Sequence, residues 1–333
     1  MNDIQRKIGL ALTIVSGLII FRSWIKKWRK GPPKIKKLII YPIKSLRGFY
    51  YNYFIFVLIN LNFYEFSGFE VDHLDIVDTG VEWNGFHDRT MALVNAKNIM
   101  ITQRMKPKLA LITIQLEDEH IVLNAPGLET LKIPCFDDEK LITNDVISFD
   151  IWGQITEGYV CQKEFCEWFT RFLNIEIKLL RIGKDLKHRQ SEVFGDLLDN
   201  RVVYQDGFPI LMINDGSIDE LNERLKGKLE VDYRRFRPNF LVENADAYEE
   251  DEWNKIRINN LEYYMPKPCD RCVLPTVDPD TGVLNPEMEP LKTLKTYRIQ
   301  EKWTKKAPMF GINLIPKGNG KIFIGDPLEI IGL

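Results

Sequence analysis

Two cysteines three residues apart, Cys269 and Cys272 in the run PCDRC, are the residues whose type and spacing most directly invite chemistry. A thiolate is a soft ligand for zinc or a redox metal, and two such thiols can also cycle as a dithiol. The pair therefore admits three readings. As half of a zinc site it needs a second pair, which Cys161-x4-Cys166 could supply. As a redox dithiol it would stand at a helix start, yet the β-like run VLPTV follows it. As a single-thiolate metal site it uses Cys272 alone, and Arg271 beside it would favour the ionised sulfur. Downstream, Asp278, Asp280 and Gly282 read as turn residues that shape this loop.

The elements that must position this loop are mostly short strands. Lys37 to Tyr41, Thr90 to Val94, Leu109 to Gln115, His120 to Leu123 and Val146 to Trp152 are apolar or alternating runs separated by polar turns, the pattern of an antiparallel sheet or barrel. Lys163 to Leu173 places Phe165, Trp168, Phe169 and Phe172 at helical spacing, an amphipathic stripe for a core. Ser217 is expected to open a second helix, with Glu220 completing a capping box and Leu221 and Leu225 on one face. Strands Lys321 to Gly325 and Leu328 to Ile331 close the chain around Gly325-Asp326-Pro327.

With 333 residues, 45% of them hydrophobic, the chain has apolar material for a large core in one bilobal unit or two domains. A formal net charge of -2 leaves no global field for nucleic acid or another polyanion. Five cysteines in a long chain suit a reducing compartment better than a disulfide framework. No GxGxxG fingerprint for nicotinamide or flavin is present.

The segment Ile8 to Phe21 is uncharged and lies between Lys7 and Arg22. As helix it spans roughly 21 Å, and about 27 Å with Ser23, Trp24 and Ile25, against a hydrocarbon core of about 30 Å. It is read as a short membrane anchor rather than a signal peptide, because no small-residue cleavage site follows. Trp24 and Trp28 suit the interface, and Arg22, Lys26, Lys27, Arg29 and Lys30 put the body in the cytosol. Gly31-Pro32-Pro33 is a linker, so residues 1–33 are anchor and linker and the body begins at Lys34. Phe49 to Phe69 is an aromatic and Asn-rich run with no Lys or Arg, read either as an insertion or as the translation of a retained intron.

The run CDRCVLPTVDPDTG followed by EPLKTLKTYR closely resembles the C-terminal signature of MOSC domains of the mitochondrial amidoxime-reducing type. YPIKS at Tyr41 to Ser45, HDR at His87 to Arg89, FRPN at Phe236 to Asn239 and the closing IGDPLEIIG resemble further motifs of that family, in the same order. Outside Phe49 to Phe69 the resemblance covers nearly everything beyond residue 34.

The resemblance implies a β-rich, mixed α+β fold: an N-terminal MOSC-associated β-barrel domain over 34–175, with 49–69 inserted, and a MOSC β-barrel domain over 176–333, behind one N-terminal transmembrane helix. It implies a molybdenum cofactor, molybdenum on molybdopterin, with Cys272 as metal ligand and catalytic residue. Lys44, Ser45, Arg89 and Arg237 match positions that hold the pterin phosphate, a task suited to fixed cations and hydroxyls. Gly207, Phe208, Asn239, Asp270 and Arg271 are further matching contacts, and Asn313 stands where relatives often carry an aromatic. The implied activity is reduction of small N-hydroxylated compounds, amidoximes and hydroxylamines, with electrons from cytochrome b5 and NADH-cytochrome b5 reductase. The implied site is the mitochondrial outer membrane, with peroxisomal and endoplasmic reticulum membranes as alternatives. The rival readings are a non-catalytic or sulfur-carrying MOSC protein that binds the cofactor.

Overall fold

The computed structural model describes residues 31–46, 69–117, 119–136, 138–183, 185–186, 188–191 and 201–332. The readings of residues 1–30 as an anchor and of Phe49 to Phe69 as an insertion therefore fall, but for Phe69, outside the described residues. Among the described residues no helix is long and apolar enough to cross a membrane.

The structure is β-rich with few helices. A nine-stranded sheet runs Phe69–Val71, Lys34–Ile40, Phe240–Glu243, Ile210–Asn214, Met309–Lys317, Leu261–Tyr264, Lys255–Ile258, Leu328–Gly332, with Pro268–Asp270 paired to Met309–Lys317 off this path. Its one parallel pair joins Ile210–Asn214 to Phe240–Glu243. Parallel neighbours need a long crossover, and helix Asp215–Leu225 lies within it. A five-stranded antiparallel sheet runs Ile142–Ile151, Gln154–Cys161, Ile177–Arg181, Met91–Asn95, Met100–Ile101. The first strand is thus paired with Phe240–Glu243, about two hundred residues along the chain. Conversely, both partners of Ile177–Arg181 lie N-terminal to it.

One core cluster binds these sheets together, joining Leu38, Leu93, Phe169, Phe240 and Tyr263. The helix Lys163–Leu173 buries Phe165, Trp168, Phe169 and Phe172 as the spacing predicts. The Trp168 indole N–H donates to the Glu129 carbonyl at 2.8 Å, which satisfies the polar edge of a fully buried ring.

Two local expectations are corrected. Leu109 to Gln115 is not one strand: Pro107–Leu111 is a 3₁₀ turn and the strand is Thr113–Glu117. Pro107, at its start, has the fixed φ and missing donor that suit a first helical turn. The second helix starts at Asp215, and Asn214 is its cap, accepting the Gly216 N–H at 3.0 Å. Ser217 instead donates to the buried Glu250 carboxyl at 3.0 Å, and Glu220 accepts from the Tyr248 hydroxyl at 2.7 Å.

Candidate functional site

Segments distant in sequence converge on one cleft, which holds about 840 Å³ of space, including open solvent. Lys44, Ser45, Arg89, Gly207, Phe208, Arg237, Asn239, Asp270, Arg271, Cys272 and Asn313 all line it. Lys44 and Ser45 follow the first strand, Arg89 follows Phe86–His87, and Arg237 and Asn239 precede Phe240–Glu243. The Asn239 amide ties these together, accepting from Leu211 N–H at 3.2 Å and donating to the Ile39 carbonyl at 3.2 Å.

Ser45, Arg89 and Arg237 each adopt positive φ, at 63°, 52° and 59°. Non-glycine residues pay for that conformation sterically, and such strain persists where surrounding contacts over-determine it. For Arg89 those contacts are visible. Asp88, fully buried, pairs with its guanidinium and also accepts the Tyr41 N–H at 2.8 Å. Both arginines stand over the Tyr41 ring, with guanidinium carbons 4.8 Å and 4.4 Å from its centre.

Cations outnumber carboxylates on the walls: Lys44, Arg89, Arg104, Arg237 and Arg271 face Asp206 and Asp270. Burial, reinforced by the Arg89 charge, pushes the Arg237 guanidinium down to about 10. Burial likewise pushes Lys44 down to about 8, against the opposing pull of Asp206, with which it pairs. Asp206 lines the cleft with 73% of its side chain exposed. Desolvation by the surrounding walls raises its carboxyl, yet Lys44 and the Trp152 N–H outweigh that and hold it well below the ordinary range. Most telling, the Nη2 atoms of Arg237 and Arg271 are buried with no hydrogen-bond partner. A buried, unsatisfied charged donor costs free energy, and oxygens of an anionic ligand would relieve it.

The two cysteines differ sharply. Burial pushes the Cys269 thiol up to about 11, and its sulfur lies 3.8 Å from the Asp270 carbonyl. Cys272 is exposed, and its sulfur accepts the Leu274 N–H at 3.5 Å. A ligand that needs an accessible sulfur is met by Cys272 and not by Cys269. The Arg271 side chain is committed to two carbonyls, Phe310 at 2.8 Å and Phe236 at 3.2 Å. The zinc reading fails: Cys161 and Cys166 are buried in the core, with the Cys166 sulfur accepting Leu179 N–H at 3.3 Å. Among the described residues no group of three or more His, Cys, Asp or Glu could hold a metal by itself. The dithiol reading fares no better, since strand Pro268–Asp270 and a 3₁₀ turn, Leu274–Thr276, flank Cys272 in place of a helix start.

Asp278 and Asp280 act as turn residues. Asp278 accepts the Asp280 and Thr281 N–H groups at 3.0 Å and 2.9 Å and pairs with Arg235, while Asp280 pairs with Arg234. Sequence reasoning missed Thr102, Arg104, Trp152, Gln205 and Asp206 in the cleft wall. Asp206 sits in the same QDGFP loop as Gly207 and Phe208, so its charge was the available signal.

The MOSC domain model matches residues 199–329, and the model of the MOSC N-terminal beta barrel domain matches 60–176. Mitochondrial amidoxime reducing component 2 of Bos taurus is 32% identical over 318 residues, 90% of this chain and 87% of that protein. The protein of the same name from Homo sapiens is 31% identical, covering 96% of this chain and 91% of that protein. Mitochondrial amidoxime-reducing component 1 of Danio rerio is 30% identical, with 98% and 95% covered. With at least 30% identity to these proteins over nine-tenths or more of its length, and with both domain models matched, the chain belongs to the mitochondrial amidoxime reducing component family of MOSC-domain proteins.

Proposed function

We propose that this chain is a molybdenum-cofactor-dependent reductase of N-hydroxylated compounds, amidoximes and hydroxylamines, with Cys272 as the protein ligand to the metal. The observation that carries the reading is the cleft itself: an open thiol at Cys272 together with buried, unpartnered Nη2 atoms on Arg237 and Arg271. Those donors fit a ligand that joins a soft metal to an anionic phosphate. When bound, the cofactor supplies a two-electron redox centre at which the substrate N–O bond is cleaved and oxygen leaves as water.

The chain's own residues bind and orient. Lys44, Ser45, Arg89 and Arg237 would hold the phosphate, and Arg271, anchored on two carbonyls, presents its free Nη2 from a fixed position. Asn239 keeps the strands that carry these groups in register, while Gly207, Phe208, Asp270 and Asn313 complete the wall. Cys272 supplies its sulfur to the metal, with the Leu274 N–H orienting it. Electrons are proposed to come from cytochrome b5 and NADH-cytochrome b5 reductase. Residues 1–33 are proposed to anchor the chain in the mitochondrial outer membrane with the body in the cytosol, where shared attachment raises effective concentration.

The test is metal content per chain, with amidoxime reduction by NADH and the two partners, on the full chain made in a host that synthesises molybdopterin. Molybdenum near one per chain, lost in Cys272→Ser, supports the reading. Zinc without molybdenum, or molybdenum without any reduction, would overturn it, the latter leaving a cofactor-binding protein.

A further inference from the structure

One side chain in the wall of the cleft has no part in the proposed cofactor binding. Trp152 lines the cleft, half exposed at 50%, on a hairpin that the cleft does not otherwise need. Ile151 pairs with Gln154, so Trp152 and Gly153 are the two central residues of a tight turn, with φ of 55° and 86°. Such a turn requires positive φ at both positions and favours Asn-Gly or Gly-Gly. A tryptophan there is strained, and strain of this kind marks sites where a side chain is wanted for what it does.

The surroundings fix the ring. Its N–H donates to Asp206 Oδ1 at 2.8 Å, and Asp206 is itself held by Lys44. The Asp206 carbonyl accepts from Arg189 at 2.6 Å, so the acceptor belongs to an anchored loop. The Arg104 guanidinium lies over one face of the indole, 3.9 Å from a ring centre. The ring is therefore held in orientation at its edge and covered on one face, while half its surface stays open. A flat, immobilised aromatic surface binds planar groups at little entropic cost.

We infer that Trp152 is a specificity-determining platform on which the aryl group of an N-hydroxylated substrate stacks, so that the cleft favours aryl over small alkyl substrates. This rests on the proposed reductase activity. Arg104 and Asp206 are positioning residues for the platform.

The experiment compares benzamidoxime with acetamidoxime on the molybdenum-loaded full chain, for wild type, Trp152→Ala and Trp152→Phe. Trp152→Ala should lose about tenfold in kcat/KM for benzamidoxime, chiefly through KM, and less than about twofold for acetamidoxime. Trp152→Phe should restore most of the loss. Saturation-transfer NMR on benzamidoxime supplies a readout apart from turnover: transfer to its ring protons should fall in Trp152→Ala and persist in Trp152→Phe. Equal loss on both substrates, or none on either, overturns the platform while leaving the reductase reading intact. A wild-type chain that carries molybdenum but reduces neither substrate overturns the reductase reading, and the platform with it.

Discussion

Phe236 and Phe310 stack with ring centroids 4.2 Å apart and planes 24° from parallel, and the backbone carbonyls of these same two residues hold the Arg271 guanidinium. A hydrophobic contact between strand neighbourhoods thereby sets the aim of a charged group in the cleft.

Gly311 follows Phe310 at φ 74°, and a Cβ there would meet the Met212 carbonyl at 2.7 Å and Ile213 Cγ1 at 2.8 Å, with Arg271 Nη2 at 3.5 Å. Gly311→Ala should cost about 2–4 kcal/mol of stability, because positive φ and backbone overlap act together. Denaturant unfolding measures it. Molybdenum content should fall as well; a variant as stable as wild type would show that the strand relaxes freely around this residue.

Cys272→Ser should abolish molybdenum binding while changing stability by less than about 0.5 kcal/mol, since the side chain is exposed. Cys269→Ser should keep the metal, because burial holds that thiol protonated. Metal analysis beside thermal unfolding separates the two, and molybdenum retained in the Cys272 variant would remove the assignment.

Arg237→Met should strip cofactor from the protein yet leave the cofactor-free chain equally stable, or up to about 1 kcal/mol more so, because it removes a buried cation repelled by Arg89. Unfolding of cofactor-free wild type and variant tests this. A loss above about 2 kcal/mol would mean that the hydrogen bond from Arg237 to the Leu46 carbonyl is the larger contribution.

Glu250 is fully buried away from the cleft, and burial pushes its carboxyl up to about 7 from 4.5, although Asn214 and Ser217 donate to it. A raised folded-state value means that the folded chain binds the proton more tightly than the unfolded chain. The associated stability is complete below pH 4.5 and is lost as pH rises through about 7. Glu250→Gln should therefore flatten the stability profile between pH 5 and pH 8 by about 1–3 kcal/mol. An unchanged slope would assign that dependence to other groups.

The sequence was most legible where chemistry and backbone demand coincide. Cys272 stood out by its spacing from Cys269, whereas Lys44, Ser45 and Asp270 came only from the family resemblance; all of them line the one cleft. Trp152 escaped because Val146 to Trp152 reads as a strand to its last residue, and a bulky aromatic hides the turn that Gly153 signals. The helix start was misplaced by three residues because Ser217 and Glu220 fit a capping box; both side chains are instead recruited by residues near 250, which only tertiary structure brings close. Pairing of Lys34–Ile40 with Phe240–Glu243 had no local signature at all.

That pairing has a consequence for how the protein is made. Asn239 reaches the Ile39 carbonyl across 200 positions, and the Tyr41 hydroxyl reaches the Pro238 carbonyl across 197. During synthesis the strand carrying Ile35, Leu38, Ile39 and Ile40 leaves the ribosome long before its Phe240–Glu243 partner exists, at about 5–20 residues per second. For on the order of ten seconds or more that strand lacks its Phe240–Glu243 partner, although Phe69–Val71 on its other edge emerges early, and in this window a chaperone or a non-native strand would compete for the open edge. Completion of the cleft is then a late event, because Lys44 emerges early whereas Cys272 and Asn313, which line the same cleft, emerge much later.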